Sequence, residues 1–498
     1  MTLQALFLLL LVLIASSVSL LSIRRKKTTR RLPPGPKRLP IIGNLHQLSN
    51  FNHRSLQVLS NQHGPLMFLQ LGSVPAIVIS SADIAREIFK AHDLVFSGRP
   101  VFHTGKNISY NCSSITMAPY GEYWREIRKI VLTELLSPKR VQSFKAVIEE
   151  EIGFMIKFIE SSSSPVNLSQ VTHSLVNNVV CRVAFGRKYE KFGDGGSSKF
   201  HDLLREVQDL AAEFNLSDFF PRMEWLNRIN GLEARLQRHF GELDKVFDEM
   251  IEEHLYPRRP NTDHGDLVDV LLRFHNDPNQ AIALKTHQIK AVISDVFIAG
   301  TDTSAATLEW TMTELMRNPL VMRRAQEEVR SVVKGKKTKV EQKELSQLVY
   351  LKSTIKESFR VHPPAPLLVP RETTESCTVR AYEIPAKARV FVNAAAIAMD
   401  PKFWENPKKF KPERFLDSSI DFRGQHFELI PFGTGRRICP GINFAVQIIE
   451  VALANLLYHF DWAMPNGKTK EGLDMEEAQG ITMHKKTPLY LVPTIATL

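Results

Sequence analysis

The sequence predicts a mainly α-helical protein that also carries small β-sheets. Amphipathic helical spacing fills most of residues 137–273 and all of residues 286–317. Two apolar stretches rich in β-formers, 66–71 and 76–79, flank a Gly-Ser turn pair and indicate a short hairpin. Helical runs therefore account for far more of the chain than strand candidates do.

The positive charge of the chain is concentrated near its N-terminus. The net charge is +11, a value that can indicate a nucleic-acid partner, but eight of these charges lie in residues 24–38 with no acid between them. Only three remain for the rest of the chain, which argues against a nucleic-acid partner. No composition break follows residue 40 in the 498-residue chain, so we expect one large catalytic domain at 41–498.

Residues 2–23 are uncharged and would span roughly 33 Å as a helix, enough to cross a bilayer core. The basic residues follow this run, which places the later chain in the cytosol. We expect a transmembrane signal anchor at 1–23, single-pass in the endoplasmic reticulum membrane; a cleaved signal peptide is the alternative. Because only a luminal domain would carry sugar, four sequons test this topology: Asn107, Asn111, Asn167 and Asn215.

Residues 24–40 form a basic and proline-rich hinge, and the run Leu32-Pro33-Pro34-Gly35-Pro36 stiffens it. After the hairpin, residues 82–92 return to helical spacing, whereas residues 97–119 show little repeat. A short β segment near Leu489–Val492 closes the chain. The four cysteines are far apart and form no CxxC pair, so the sequence indicates a reducing compartment and neither a disulfide framework nor a zinc site.

The middle of the 286–317 helix contains Ala299-Gly300-Thr301-Asp302-Thr303-Ser304. Glycine and hydroxyl residues are poor helix formers, and a Thr or Ser hydroxyl can bond back to the carbonyl one turn earlier. Such a site tends to bend or open. It can make room for a small ligand, while the acid and the hydroxyl pass protons.

Two other helical patterns pair complementary groups. Trp124 and Arg128 are four residues apart, and an indole N–H beside a guanidinium suits a carboxylate. Glu357 and Arg360 share a helix face in the same way, a pattern that is usually a solvated pair. The run from His362 to Arg371 is extended and apolar until its last residue, and His362 is no credible metal ligand because it abuts Pro363.

The loop Pro431–Gly441 contains two glycines and one cysteine, and it leads into the apolar helical segment 442–457. Cys439 lies where that helix begins, so amide N–H groups and the helix dipole favour its thiolate, and Arg437 adds positive charge nearby. A thiolate in a rigid, partly dry loop is suited to bind a haem iron as axial ligand. The alternative is a buried structural cysteine beside a tight turn.

Together these motifs resemble the cytochrome P450 superfamily over essentially the whole chain, in the family's order. The loop around the cysteine matches the family's haem signature at Phe432, Gly435, Arg437, Cys439 and Gly441. The HPPxPLLxPR run and the Arg-Arg-Ile-Cys-Pro-Gly stretch look like the plant microsomal A-type clan. The resemblance implies the P450 fold, with haem b between the long central helix and the helix after the cysteine loop.

The resemblance also assigns roles to individual residues. Cys439 would bind the iron, Thr303 would hydrogen-bond the bound oxygen, and Asp302 would help relay protons. Glu357, Arg360 and Arg414 of the Pro412–Phe415 motif would form a buried structural triad. The remaining haem contacts would be Phe432, Gly435, Arg437, Gly441, Trp124, Arg128 and Arg371, and the substrate pocket would include Ala299, Ala365, Leu367, Leu368 and Ile481.

The implied activity is oxidation of a hydrophobic small molecule of terpenoid or alkaloid type with O₂ and electrons from NADPH. These electrons would come through NADPH–cytochrome P450 reductase, with cytochrome b5 as a further candidate partner. Arg125, Lys129 and Arg436 could form a docking face for this reductase, or simply a solvated surface. Two other hypotheses stay open at this point: a haem-thiolate isomerase or dehydratase that uses no O₂, and a non-enzymatic membrane haem protein.

Overall fold

The computed structural model describes most of the chain: residues 31–48, 52–163, 165–188, 192, 199–256, 265–275, 277, 282–333, 339–467, 469–478 and 480–497. The predicted anchor at 1–23 and the first residues of the basic hinge lie outside this part. Residues 31–38 of the hinge have no regular secondary structure.

Helices dominate the described residues, as the sequence predicts. In chain order they are α1 His53–His63, α2 Ala82–Ala91, α3 His103–Ile108, α4 Glu122–Ile130, α5 Pro138–Ser143, α6 Lys145–Ser161, α7 Leu168–Phe185, α8 Lys199–Ala212, α9 Leu226–Ile229, α10 Leu232–Leu255, α11 Leu267–Arg273, α12 Thr286–Arg317, α13 Pro319–Val332, α14 Val349–Val361, α15 Ala394–Ala398 and α16 Ile442–His459.

The strands form small sheets at the side of the helical body. They are β1 Leu66–Leu71, β2 Val74–Ile79, β3 Val166–Asn167, β4 Arg371–Glu372, β5 Cys377–Val379, β6 Tyr382–Ile384, β7 Arg389–Val392, β8 Phe460–Ala463 and β9 Tyr490–Ile495. One sheet has the order β1-β2-β7-β4, a second the order β3-β9-β8, and β5 pairs with β6 alone. The predicted hairpin is β1–β2, with Leu71 opposite Val74.

Helix α12 runs through the core for 32 residues and contacts α7, α14 and α16. Most of its second half is buried, from Ser304 to Leu315, because small and apolar side chains there allow helices to approach on several sides. Pro319 lacks the amide proton that would continue the helix, and it begins α13 instead. This long rod supplies one wall for the residues that the motifs single out.

Helix α16 packs directly against α12. It is long and apolar enough to cross a membrane by length and composition, but 78% of it is buried inside the protein. It is therefore a core helix, and it begins directly after the cysteine loop.

The segment 97–119 differs from its predicted irregular form in one part. Helix α3 occupies residues 103–108, and Tyr110, Asn111 and Cys112 follow in left-handed backbone conformation, with φ of 51°, 57° and 58°. The turn is fixed locally, since the Cys112 amide donates to Ser109 Oγ at 3.1 Å. Short-range polar contacts thus give this segment a defined shape that hydrophobic periodicity does not reveal.

Candidate active site

The cysteine loop is held closed by its own backbone. The Cys439 amide donates to Phe432 O at 3.0 Å, and the Ile438 amide donates to Gly435 O at 3.1 Å. Gly433 and Gly435 have φ of 73° and 68°, a region that favours glycine. A Cβ at position 435 would also lie 2.3 Å from Asp93 Oδ1. The loop therefore needs glycine at 435 for both its conformation and its packing.

The thiol of Cys439 receives one hydrogen bond, from the Gly441 amide at 3.4 Å. Burial raises the pKa of Cys439, and the Gly441 amide and the charge of Arg128 only partly oppose this. The predicted charge from Arg437 is not seen, because its guanidinium donates to Ser97 O and Ala118 O. The charge of Arg128 acts on the thiol instead, and the Arg128 guanidinium donates to Ile438 O at 2.7 Å. A bound metal cation would be the main force that deprotonates this thiol.

Four buried or half-buried arginines converge beside the loop: Arg99, Arg128, Arg371 and Arg437. Burial and mutual repulsion lower the pKa of Arg371 to about 10 and that of Arg437 to about 9. Nearby carboxylates are fewer, with Asp93 beside Arg371 and Asp295 acting on Arg99. Because a buried excess of cations is unfavourable alone, the cluster fits a ligand that carries two carboxylates. Haem is such a ligand, so these residues fit the group that the cysteine loop implies.

Several of the predicted haem-contact residues also donate hydrogen bonds to backbone carbonyls of the protein. The guanidinium groups of Arg128 and Arg437 both lie over the ring of Trp124, 5.4 Å and 4.2 Å from its centroid. Its indole N–H donates to Ile115 O at 3.0 Å. Arg371 donates to Thr434 O at 2.5 Å. Trp124 and Arg371, which were predicted to contact haem carboxylates, thus also hold the 113–118 segment and the cysteine loop in place.

Helix α12 stays continuous through the AGTDTS segment, so the predicted opening is not a break in the helix. Thr303 Oγ1 donates to Ala299 O at 2.7 Å, the back-bond expected from its sequence position. Ala299 is exposed and its neighbours Ile298 and Gly300 are half-buried, whereas the second half of the helix is almost entirely buried. Open space therefore borders the middle of α12, next to Thr303.

Asp302 pairs with two histidines, His173 and His484. Burial would raise the pKa of Asp302, but the hydrogen bonds and charges of these histidines outweigh it and hold the pKa below its ordinary value. Asp302 is therefore ionised and can accept a proton.

The structure brings the three residues of the predicted ionic triad together. Arg360 binds both carboxylate oxygens of Glu357 at 2.8 Å, and neither side chain is exposed. Arg414 Nε lies 3.3 Å from the same carboxylate. Arg360 also donates to Ala398 O at 2.9 Å, so the triad joins α14 to α15 and to the 405–414 segment.

The predicted pocket residues lie in three places, and the first is the middle of α12, where Ala299 is exposed. Ala365, Leu367 and Leu368 are half-buried in the segment after α14, and Leu368 lies against the loop, 3.7 Å from a Cβ built on Gly433. Ile481 is 59% exposed, in a turn whose next residues are tied inward, since Met483 N donates to Pro364 O at 2.9 Å. Phe432 packs against Phe359 and Phe422 beneath the loop.

Other candidate metal ligands among the described residues have structural partners. His362 stacks on Trp310 at 4.1 Å and pairs with Glu314 at 2.8 Å, which agrees with its exclusion as an iron ligand. His254, Asp266 and Asp269 lie close together, but Asp266 and Asp269 form the capping box of α11 and His254 bonds to Asp266.

Sequence reasoning missed Arg99, Asp93, Asp295, His173 and His484. Most carry no local pattern, because their partners are distant in the chain. Asp295 has one usable signal, since it is a lone charge in the apolar stretch between Ile293 and Phe297.

The sequence profile of the cytochrome P450 family matches residues 33–492. The chain is a cytochrome P450. It is 57% identical over 478 residues to a strychnine-11-hydroxylase of Strychnos nux-vomica, covering 95% of this chain and 94% of that one. It is also 57% identical over 484 residues to cytochrome P450 71A9 of Glycine max, covering 96% of each chain. A phenylacetaldehyde oxime monooxygenase of Prunus mume is 44% identical, over 94% of this chain and 90% of that one.

Solved structures confirm the fold. A zebrafish cytochrome P450 solved with progesterone superposes with a TM-score of 0.76 at 24% identity, covering 89% of this chain and 99% of that one. The predicted fold class, mainly α with small sheets in the P450 arrangement, is therefore correct.

As a cytochrome P450, the protein is a haem-dependent monooxygenase of plant specialised metabolism, which receives its electrons from a reductase and acts on a hydrophobic substrate. The prediction of an oxygen-incorporating oxidoreductase is confirmed. When bound, the haem supplies the activation of O₂, and the protein supplies the ligand, the electrostatic environment and the pocket. Plant members of this group are typically membrane-bound.

Proposed function

We propose that this cytochrome P450 hydroxylates or otherwise oxidises a hydrophobic plant metabolite of alkaloid or terpenoid type. The observation that carries the proposal is the 57% identity, over nearly the full chain, to a relative named for hydroxylation of strychnine. The residues predicted to line the pocket agree with an apolar ligand, because Ala299, Ala365, Leu367, Leu368 and Ile481 carry no charge.

In this proposal the thiolate of Cys439 would hold the haem iron, and the arginine cluster would hold the two haem carboxylates. Thr303 borders the open space beside α12 and would orient the oxygen, while Asp302, beside His173 of α7, would deliver protons. The Glu357 triad has no part in the chemistry and stabilises the core behind the haem.

We further propose that the reductase docks on the face formed by Arg125, Lys129 and Arg436. All three are exposed, and the guanidinium groups of Arg125 and Arg436 both lie about 6 Å from the ring of Tyr120. Arg436 belongs to the cysteine loop itself, so an acidic partner at this face would lie close to the haem. Cytochrome b5 is a second candidate for the same face.

For the cellular location, we propose an anchor at 1–23, a hinge at 24–40 and a cytosolic catalytic domain at 41–498, in the endoplasmic reticulum membrane. Asn111 is exposed and lies in a sequon, so it reports the side of the membrane. Expressed in a eukaryotic cell, the protein should carry no glycan at Asn111 while a sequon added before Met1 should be glycosylated. A glycan at Asn111 would reverse the proposed topology.

The substrate proposal is tested by a binding screen on the purified full chain, read through the spin-state shift of the haem spectrum. Strychnine-like alkaloids and terpenoids are the positive sets, and hydrophilic phenolic glycosides are the negative set. A shift followed by an oxygenated product with NADPH and reductase supports the proposal. Turnover confined to the hydrophilic set would contradict it.

A further inference from the structure

A polar seam crosses the boundary between α7, α12 and the loop before β9. We define it by five side chains: Asp302 and Glu309 of α12, Ser169 and His173 of α7, and His484 of the loop. Asp302 and Glu309 are seven residues apart and Ser169 and His173 are four apart, so each pair lies on one face of its helix. The seam therefore lies where α7 and α12 face each other.

Two histidines hold the carboxylate of Asp302. His173 Nε2 lies 3.3 Å from Asp302 Oδ1, and His484 Nε2 lies 3.7 Å from Oδ2. An ionised carboxylate can only accept hydrogen bonds, so the Nε2 atom of His173 is the donor. The proton nearest to Asp302 is thus carried by an imidazole.

The far end of the seam is fixed by hydrogen bonds. Ser169 Oγ donates to one oxygen of Glu309, and the Lys485 amide donates to the other at 3.3 Å. The Leu489 amide donates to Ser169 Oγ at 2.8 Å. His484 Nδ1 lies 4.0 Å from Glu309, so His484 sits between two carboxylates.

Exposure decreases along the seam toward α12. The side chain of His484 is 32% exposed, that of His173 is 20% exposed and that of Asp302 is 18% exposed. Lys485 is a further charged side chain packed near the seam, and its ammonium group donates to Asp474 O. Imidazole exchanges protons readily near neutral pH. The seam therefore connects solvent to the carboxylate next to Thr303.

We infer that His484 and His173 position Asp302 and recharge it with protons from solvent during turnover. The inference deepens the proposed function and rests on it. In the overall reaction RH + O₂ + NADPH + H⁺ → ROH + H₂O + NADP⁺, one oxygen atom leaves as water and takes up two protons. For each of these protons, a histidine first donates to the ionised Asp302, Asp302 then passes the proton toward the pocket and becomes ionised again, and solvent reprotonates the histidine.

The first test needs no turnover. In the full-chain holoenzyme, the infrared carboxylic-acid band of Asp302 is followed between about pH 5 and pH 8, and an added Asp302→Asn change identifies it. Because burial alone would raise the pKa of Asp302, the His173→Ala/His484→Ala protein should gain this band at the acidic end, while the wild type should not. His173→Gln/His484→Gln should keep Asp302 ionised, since a glutamine amide still donates to it. Absence of the band in the double alanine protein would overturn the positioning role.

The second test measures NADPH oxidation with added reductase in H₂O and D₂O, with strychnine as the probe ligand and also with no added ligand. Both double variants should be slower by at least about tenfold, with a larger solvent isotope effect, because positioned acid–base groups contribute roughly 10²–10⁴-fold and water replaces them only in part. His287→Gln, at an exposed position of α12, is the matched control and should match the wild type.

An assay driven by a hydroperoxide distinguishes slow proton delivery from a general loss of activity in the variants. Cumene hydroperoxide brings its own oxygen, electrons and proton, so hydroperoxide-driven oxidation of tetramethyl-p-phenylenediamine should stay within about twofold of the wild type in both double variants. Equal NADPH rates and isotope effects in variants and wild type would overturn the relay. Lack of any NADPH-dependent oxidation in the wild type would instead refute the proposed function, and the infrared test would still stand.

Discussion

At the scale of single residues, the site is defined by an electrostatic imbalance. Arg99, Arg128, Arg371 and Arg437 lie together beside the Cys439 loop, and burial lowers the pKa of each. The protein maintains this arrangement because backbone carbonyls accept most of the guanidinium hydrogen bonds. A dianionic ligand would complete it, and such a ligand would account for a thiol loop and an arginine cluster side by side.

Arg371→Met tests this imbalance. Removing one buried, charge-assisted donor should weaken haem retention by about tenfold, the equivalent of roughly 1.5 kcal/mol. The measurement is the rate of haem transfer to excess apomyoglobin. Arg187→Met, at an exposed ion pair with Glu253, should leave this rate unchanged. Equal rates for the Arg371 variant and the wild type would show that the cluster serves the loop alone.

At the scale of elements, polar groups buried between helices and loops fix their relative positions. The Glu357 triad joins α14 to the 405–414 segment, and Asp295 joins α12 to the 113–118 segment through the Thr116 amide at 2.8 Å. These links fix one arrangement of the elements, because any other arrangement would leave a polar or charged group unpaired in the core.

Glu357→Gln should lower the free energy of unfolding by about 3–5 kcal/mol, because two arginines lose their shared carboxylate in a site without solvent. Chemical denaturation of the full chain measures this loss. Glu213→Gln removes an exposed pair with Arg235 and should cost less than about 1 kcal/mol. Similar losses in the two variants would contradict a buried structural role for the triad.

Asp295 predicts a pH dependence. Burial raises its pKa to about 6, although hydrogen bonds from Thr116 and Ser114 and the charge of Arg99 oppose the rise. Because its pKa is higher in the folded than in the unfolded state, protonated Asp295 stabilises the folded state. This contribution is complete below the unfolded-state pKa near 4 and is lost as pH rises through about 6. The Tm of Asp295→Asn relative to the wild type should therefore increase between about pH 4 and pH 7. Glu252→Gln, at an exposed position, should show no such trend.

At the scale of the whole molecule, local sequence patterns predicted the helix bounds and side-chain contacts that are contained within a single element. The bounds of α12 match the predicted run at 286–317, and the Thr303 back-bond follows from its spacing to Ala299. The cysteine loop and the Glu357–Arg360 pair are likewise contained in short segments.

Contacts between distant elements could not be predicted in this way. His173 and Asp302 are 129 residues apart, and Arg99 and Pro370 are 271 apart. Only the packing of α7 on α12, and of the 97–119 segment on the segment before β4, brings them together. Arg437 shows the same limit, because its side chain leaves the cysteine beside it in sequence to bind carbonyls from another segment.

We propose that the thiolate of Cys439 is the ligand of the haem iron. The most direct test is the spectrum of the reduced full chain with carbon monoxide, for wild type, Cys439→Ser and the control Cys377→Ser. The wild type and the Cys377 variant should show the Soret shift specific to a thiolate ligand, and Cys439→Ser should lack it. The same shift in Cys439→Ser, or purified wild-type protein without porphyrin, would contradict the claim.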